Sequence, residues 1–101
     1  MNEAGFTRKV CARLRARGAL VFAVVGGPMQ APGWPDRYVA HPAWQGWLEF
    51  KTARGRLAPA QKIVLRALSE RGAKAYVMRP SGPETWDGKP AGDPGLEELL
   101  R

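Results

Sequence analysis

Two carboxylates and a lysine stand at spacings that suit metal-assisted hydrolysis: Asp36, behind a stretch rich in Gly and Pro, and Glu49 and Lys51, one residue apart. Side chains alternate along a strand, so Trp47, Glu49 and Lys51 share one face while Leu48 and Phe50 share the other. A hairpin closing at Pro42-Ala43 sets Tyr38 opposite Trp47 and Asp36 opposite Glu49. At ~4 Å and an effective dielectric of ~20, two such carboxylates repel by about 4 kcal/mol, so a cation is needed. Lys51 supplies one charge, and a hard divalent ion bound by carboxylate oxygens and water supplies the rest. Mg2+ suits such a site, because it keeps waters for a nucleophile and for a phosphate. Taken singly, each residue has a plainer reading. Asp36 follows Pro35 as a turn residue would, and Glu49 with Lys51 matches a solvated pair worth under ~1 kcal/mol.

The elements that must position these residues follow from periodicity. Phe6, Val10 and Leu14 form the apolar stripe of a helix over residues 3–17, which Gly18 stops. Leu20 to Val25 is a continuous apolar run and predicts a buried strand. Residues 26–35 form a Gly/Pro loop able to approach a ligand closely. A second strand runs from Asp36 to Ala40 and a third from Gln45 to Lys51. Pro59 opens a second helix that presents Ala60, Ile63, Val64, Ala67 and Leu68 before Gly72, and Ala73 to Arg79 is a fourth strand. From Pro80 the chain turns rich in Pro, Gly and acids, with only Leu96, Leu99 and Leu100 as a short apolar patch.

At 101 residues there is room for one domain with one modest core. The polar N-terminus and the absence of a long apolar run predict a soluble, cytoplasmic protein without a membrane partner. Cys11 is alone, which excludes an internal disulfide, and it reads as a small core residue. Net charge is +7, unevenly spread: up to Ser81 there are 14 basic against 4 acidic side chains, and from Gly82 onward 2 against 5. A body this basic attracts polyanions, nucleic acid above all, although the same charge also serves solubility.

The stretches Gly33-Trp34-Pro35-Asp36, Leu48-Glu49-Phe50-Lys51-Thr52 and Gly55-Arg56-Leu57-Ala58-Pro59-Ala60-Gln61 resemble the PD-(D/E)XK nuclease superfamily, in particular its small VRR-Nuc branch. The shared patterns are G-x-P-D, E-x-K-T and G-x-L-x-x-x-Q, in that order on a strand, a strand and a helix. The resemblance implies that Asp36 and Glu49 ligate Mg2+ or Mn2+, joined by the backbone carbonyl of Phe50. It further implies that Lys51 positions or helps deprotonate the attacking water, that Gln61 reaches the site from the second helix, and that Glu3 completes the metal shell from the first. The residue after the aspartate, apolar in the family, is Arg37 here.

Other residues carry two readings each. Glu3 is equally a favourable charge at a helix N-terminus, and Gln61 an exposed helix residue. His41, the sole histidine, is a loop residue beside a proline. Lys9, Arg13 and Arg17 form a like-charged stripe costing about 0.2–0.5 kcal/mol per pair, which suits either a DNA-facing or a merely solvated surface. Arg54 and Arg56, just past Lys51, are placed to grip phosphates. Trp34 stacks on an unpaired base or plugs the core.

The expected architecture is an α/β restriction-endonuclease-like core, a central mixed sheet flanked by helices in the order α-β-β-β-α-β. Residues 1–81 form the domain and residues 82–101 an acidic tail or dimer arm. By resemblance, the chain cleaves DNA phosphodiesters with Mg2+ to leave 5′-phosphate and 3′-OH ends, as phage-type resolvases of four-way junctions do. Two symmetric cuts then require a homodimer, with Trp44 and the terminal leucines as interface material. The alternatives are a nicking or repair nuclease without junction preference, and a non-catalytic DNA-binding protein.

Overall fold

A computed structural model of the chain describes residues 2–24 and 32–101. Val25 and the loop expected from residue 26 lie outside them as far as residue 31. Helix α1 spans Glu3–Ala16. The Asn2 side chain caps it, accepting from the Gly5 N–H at 2.8 Å, and Gly18 ends it with φ at +93°, a conformation that only glycine adopts freely. The expected stripe is the buried face: Val10 and Leu14 are buried, with Cys11 beside them as a core residue.

Five strands form one mixed sheet in chain order: β1 (Leu20–Ala23), β2 (Arg37–His41), β3 (Trp44–Phe50), β4 (Ala75–Arg79) and β5 (Gly82–Glu84). The β2–β3 hairpin turns at Pro42-Ala43 and pairs Tyr38 with Trp47 and Arg37 with Leu48, the expected register. Helix α2 (Pro59–Glu70) carries the chain across so that β4 runs parallel to β3, with Glu49 beside Val77. Alternation sorts the side chains into two cores. Leu48, Phe50 and Met78 join α1 on one face, while Ala75 and Val77 join Leu65 of α2 on the other. The result is the mixed sheet flanked by helices expected of a restriction-endonuclease-like core.

Three expectations are corrected. Strand β1 is an edge strand: Leu20 and Phe22 are 63% and 59% exposed, because an apolar run alone does not distinguish a central strand from an edge. In α2, Leu65 is the residue fully buried and Ile63 is 69% exposed, so the face against the sheet is Gln61, Leu65 and Leu68 at i, i+4, i+7. Residues 82–101 are not a tail outside the domain. Strand β5 extends the sheet, and helix α3 (Pro94–Leu100) buries Leu96 and Leu99 in the same core as α1. Asp93 caps α3 through the Leu96 N–H and accepts from the Trp44 indole and the Tyr76 hydroxyl, both at 2.9 Å. These bonds tie the acidic segment to β3 and β4.

Candidate active site

The loop entering β2 is pressed against the start of α2. A Cβ on Gly33 would lie 2.4 Å from the Ala60 carbonyl oxygen, and φ there is +90°, so the glycine of the G-x-P-D pattern is demanded twice over. Pro35 is fully buried beside it. The Asp36 carbonyl accepts from the Val24 N–H at 2.8 Å and from the Arg37 guanidinium at 2.9 Å, which holds the backbone. Arg37 thus finds its partner in the neighbouring Asp36, with its guanidinium also 3.9 Å from Oδ1.

Glu49 is 4% exposed. Its Oε2 accepts from Gln61 Nε2 at 3.1 Å and lies 3.9 Å from Lys51 Nζ. The other end of the Gln61 amide accepts from the Ala58 N–H at 2.8 Å, which serves a helix N-terminus whose cap residue has no side-chain acceptor. One glutamine therefore secures the first turn of α2 and aims that turn at the carboxylate. Alternation and the hairpin predict Asp36, Glu49 and Lys51 at one patch and the resemblance adds Gln61; the structure gathers the four at one end of β3.

Burial dominates the electrostatics of this cluster, although Arg37 and Lys51 stand beside the two carboxylates. Burial pushes the Glu49 carboxyl up to about 7, and the nearby Asp36 charge adds to the rise, against Lys51 and the Asp36 backbone N–H, which lower it. Burial likewise lifts Asp36 to about 6, opposed by Arg37, the Phe50 backbone N–H and Lys51. Asp36 Oδ1 is buried without a hydrogen-bond partner among the described residues. A buried acceptor left without a hydrogen bond costs about 1–3 kcal/mol. The Arg37 guanidinium, 3.9 Å from Oδ1, is too far to supply one, so a bound cation would relieve the cost. Two hard oxygen donors, one orphaned, beside the backbone of Phe50 fit Mg2+ or Mn2+.

Glu3 does not close onto the pair. It is exposed at the start of α1, and among the described residues no three His, Cys, Asp or Glu side chains group as a metal shell. Its charge still raises both carboxyls, which places it nearby as an outer electrostatic neighbour.

Of the basic residues, Lys9 and Arg13 of α1 meet Arg54 across a cleft of about 610 Å3, floored by Phe6 and Thr52 and opening beside the residues that follow Lys51. Arg17 does not join them. Its guanidinium donates to the Glu98 and Arg101 carbonyls, and Arg13 also donates to the Leu100 carbonyl at 3.1 Å. The negative end of α3 draws these cations, so Arg17 caps that helix. Trp34 is 38% exposed and leans on Trp47 with ring centroids 5.5 Å apart, while Tyr38 meets Trp47 edge-on at 4.9 Å. His41 bonds the Arg17 carbonyl at 2.9 Å, away from the carboxylates. Arg79 escaped notice in the sequence, where it reads as the polar end of a strand. Its guanidinium donates to the Thr52 and Gly55 carbonyls at 2.6 and 2.7 Å and fixes the turn behind Lys51. No family model, curated protein or solved structure matches the chain.

Proposed function

We propose that the chain is a divalent-metal-dependent DNA endonuclease of the VRR-Nuc kind. The observation that carries this reading is the pairing of buried Glu49 with half-buried Asp36, whose Oδ1 has no hydrogen-bond partner among the described residues, with Lys51 and Gln61 directed at Glu49. When bound by Asp36, Glu49 and the Phe50 backbone, Mg2+ or Mn2+ supplies Lewis acidity toward the phosphate and a source of nucleophile at neutral pH. Lys51 orients the attacking water and offsets the charge that builds on the phosphate oxygens. Gln61 keeps Glu49 in one rotamer, so the carboxylate is in place before substrate arrives. Water's oxygen bonds to phosphorus as the bond to the 3′ oxygen breaks. The departing oxygen takes up a proton, which leaves 5′-phosphate and 3′-OH ends.

Within this reading the proposed substrate is a four-way junction, cut by a homodimer. A second reading, a nuclease that nicks or repairs without junction preference, is favoured by one observation: Trp44, Leu96 and Leu99 are buried within the chain and leave no interface there. No helix among the described residues is long and apolar enough to cross a membrane. Labelled linear, flap and four-way-junction DNA incubated with Mg2+ or with EDTA decides the matter. Metal-dependent paired cuts in the junction support the resolvase, and single nicks in all three support the second reading. Binding without cleavage in any of them leaves a DNA-binding protein and overturns the nuclease.

A further inference from the structure

A second cleft, of about 380 Å3, lies on the α2 face of the sheet between the turn after Lys51, α2 and β5. Its floor is Val77, the residue paired in register with Glu49, so the cleft begins one strand away from the carboxylates, about 5 Å by the usual strand spacing. Arg54, Arg56 and Lys62 line it, and none of the three forms an ion pair among the described residues. The acid in its wall, Glu84, is already neutralised by Arg79 at 3.0 Å. Arg79 also bonds the Thr52 and Gly55 carbonyls, so the turn bearing Arg54 and Arg56 is braced against the sheet. The far wall is the half-buried indole of Trp86, with the Arg66 guanidinium 5.1 Å from its ring centre. Lys62 and Trp86 have no part in the carboxylate cluster.

We propose that this cleft is a nucleotide subsite, in which Arg54, Arg56 and Lys62 hold the phosphate next to the scissile one and Trp86 carries the adjoining base. The inference rests on the nuclease reading and names where the substrate strand goes. Three unpaired cations beside an aromatic wall suit a phosphate joined to a base, since phosphate contacts position a strand and stacking tolerates any sequence. The volume falls within the roughly 300–1,000 Å3 usual for small-ligand sites. Arg54 lines this cleft and the one facing α1, so one strand has a continuous cationic path over the turn.

Binding of a fluorescein-labelled single-stranded oligonucleotide to the full chain carrying Glu49→Gln, in EDTA, tests the proposal by anisotropy across a salt series. Adding Arg56→Gln and Lys62→Gln should weaken binding about tenfold and lower the salt slope by up to about 0.7, the value for one phosphate on a single strand. The control Arg8→Gln with Arg71→Gln removes equal charge elsewhere and should change both less. An abasic scan of the oligonucleotide should reveal one position whose missing base costs about tenfold in affinity, a penalty that Trp86→Leu removes. The scan on the parent chain needs no mutation in Trp86, so it stands even if Trp86→Leu does not fold. Equal effects of the two double variants, or an abasic profile without a distinct position, overturn the subsite. If the chain nonetheless cleaves DNA with Mg2+, the nuclease reading survives that result. A chain that binds no DNA overturns both.

Discussion

Asp36, Glu49 and Lys51 were legible because each depends on local geometry, alternation in β3 and a two-residue hairpin, whereas Gln61 was reached only through the resemblance. Their roles are tested by Glu49→Gln and Lys51→Ala, each expected to lower cleavage at least about 100-fold with DNA binding and circular dichroism preserved. Wild-type rates in either variant would sink the site. The same carboxyls predict a pH signature of folding. Their folded values of about 6 and about 7 lie above those of the unfolded chain, so the folded state holds more protons between about pH 4 and 7, and stability falls as pH rises through that window. Urea melts without metal should show this loss, on the order of a few kcal/mol. Mg2+ should recover it at pH 8 and do little at pH 5. Flat stability over this range, or equal Mg2+ effects at both pH values, would contradict a metal site built on these raised carboxyls. Arg79 and Arg17 were not legible, since their partners are carbonyls on segments far away in sequence.

Among the elements, α1, the hairpin and β4 were clear from pattern, whereas α3 was not. Seven residues are too few to display a period, and the acidic composition around them resembles a solvated tail. Its placement depends on Asp93 meeting Trp44 and Tyr76, contacts 49 and 17 residues apart in sequence. Burial raises the Asp93 carboxyl, but hydrogen bonds from Trp44, Tyr76 and Leu96, with Lys74 nearby, outweigh it and leave it below the ordinary range. A depressed carboxyl contributes stability above its unfolded value, about pH 3.9, which is lost as pH falls through the folded one. Asp93→Ala strips a helix cap and leaves the indole and phenol donors unpaired. Equilibrium unfolding should register about 3 kcal/mol of lost stability. Deleting residues 82–101 should then abolish the cooperative fold, not spare it. A truncated chain that melts like the full one would return the segment to the status of a tail. The misjudged face of α2 has a related cause: its first turn is phased by the Gln61–Glu49 bond as well as by apolar burial.

At the scale of the whole molecule, the aromatic and apolar residues expected at a dimer interface are spent inside the chain, and the exposed Leu20 and Phe22 stand on β1 instead. Helix α2 covers the β3–β4 half of its sheet face through Leu65 and Leu68. On the other half, Leu20 and Phe22 of the edge strand point the same way, with Phe22 paired in register to the half-buried Tyr38. Exposed edge strands bearing large apolar side chains invite pairing with another chain, and antiparallel pairing of β1 with its own copy creates a two-fold axis. That axis is what two symmetric cuts in a four-way junction require. Light scattering during size-exclusion chromatography should therefore give a dimer, and Leu20→Lys with Phe22→Lys should give a folded monomer. Because the carboxylate site sits at the start of β2 and the end of β3, and Leu20 and Phe22 take no part in it, the monomer should retain Mg2+-dependent nicking while losing paired cuts in the junction. A wild-type chain that is monomeric at working concentration and nicks single strands would remove the resolvase and leave the nicking nuclease.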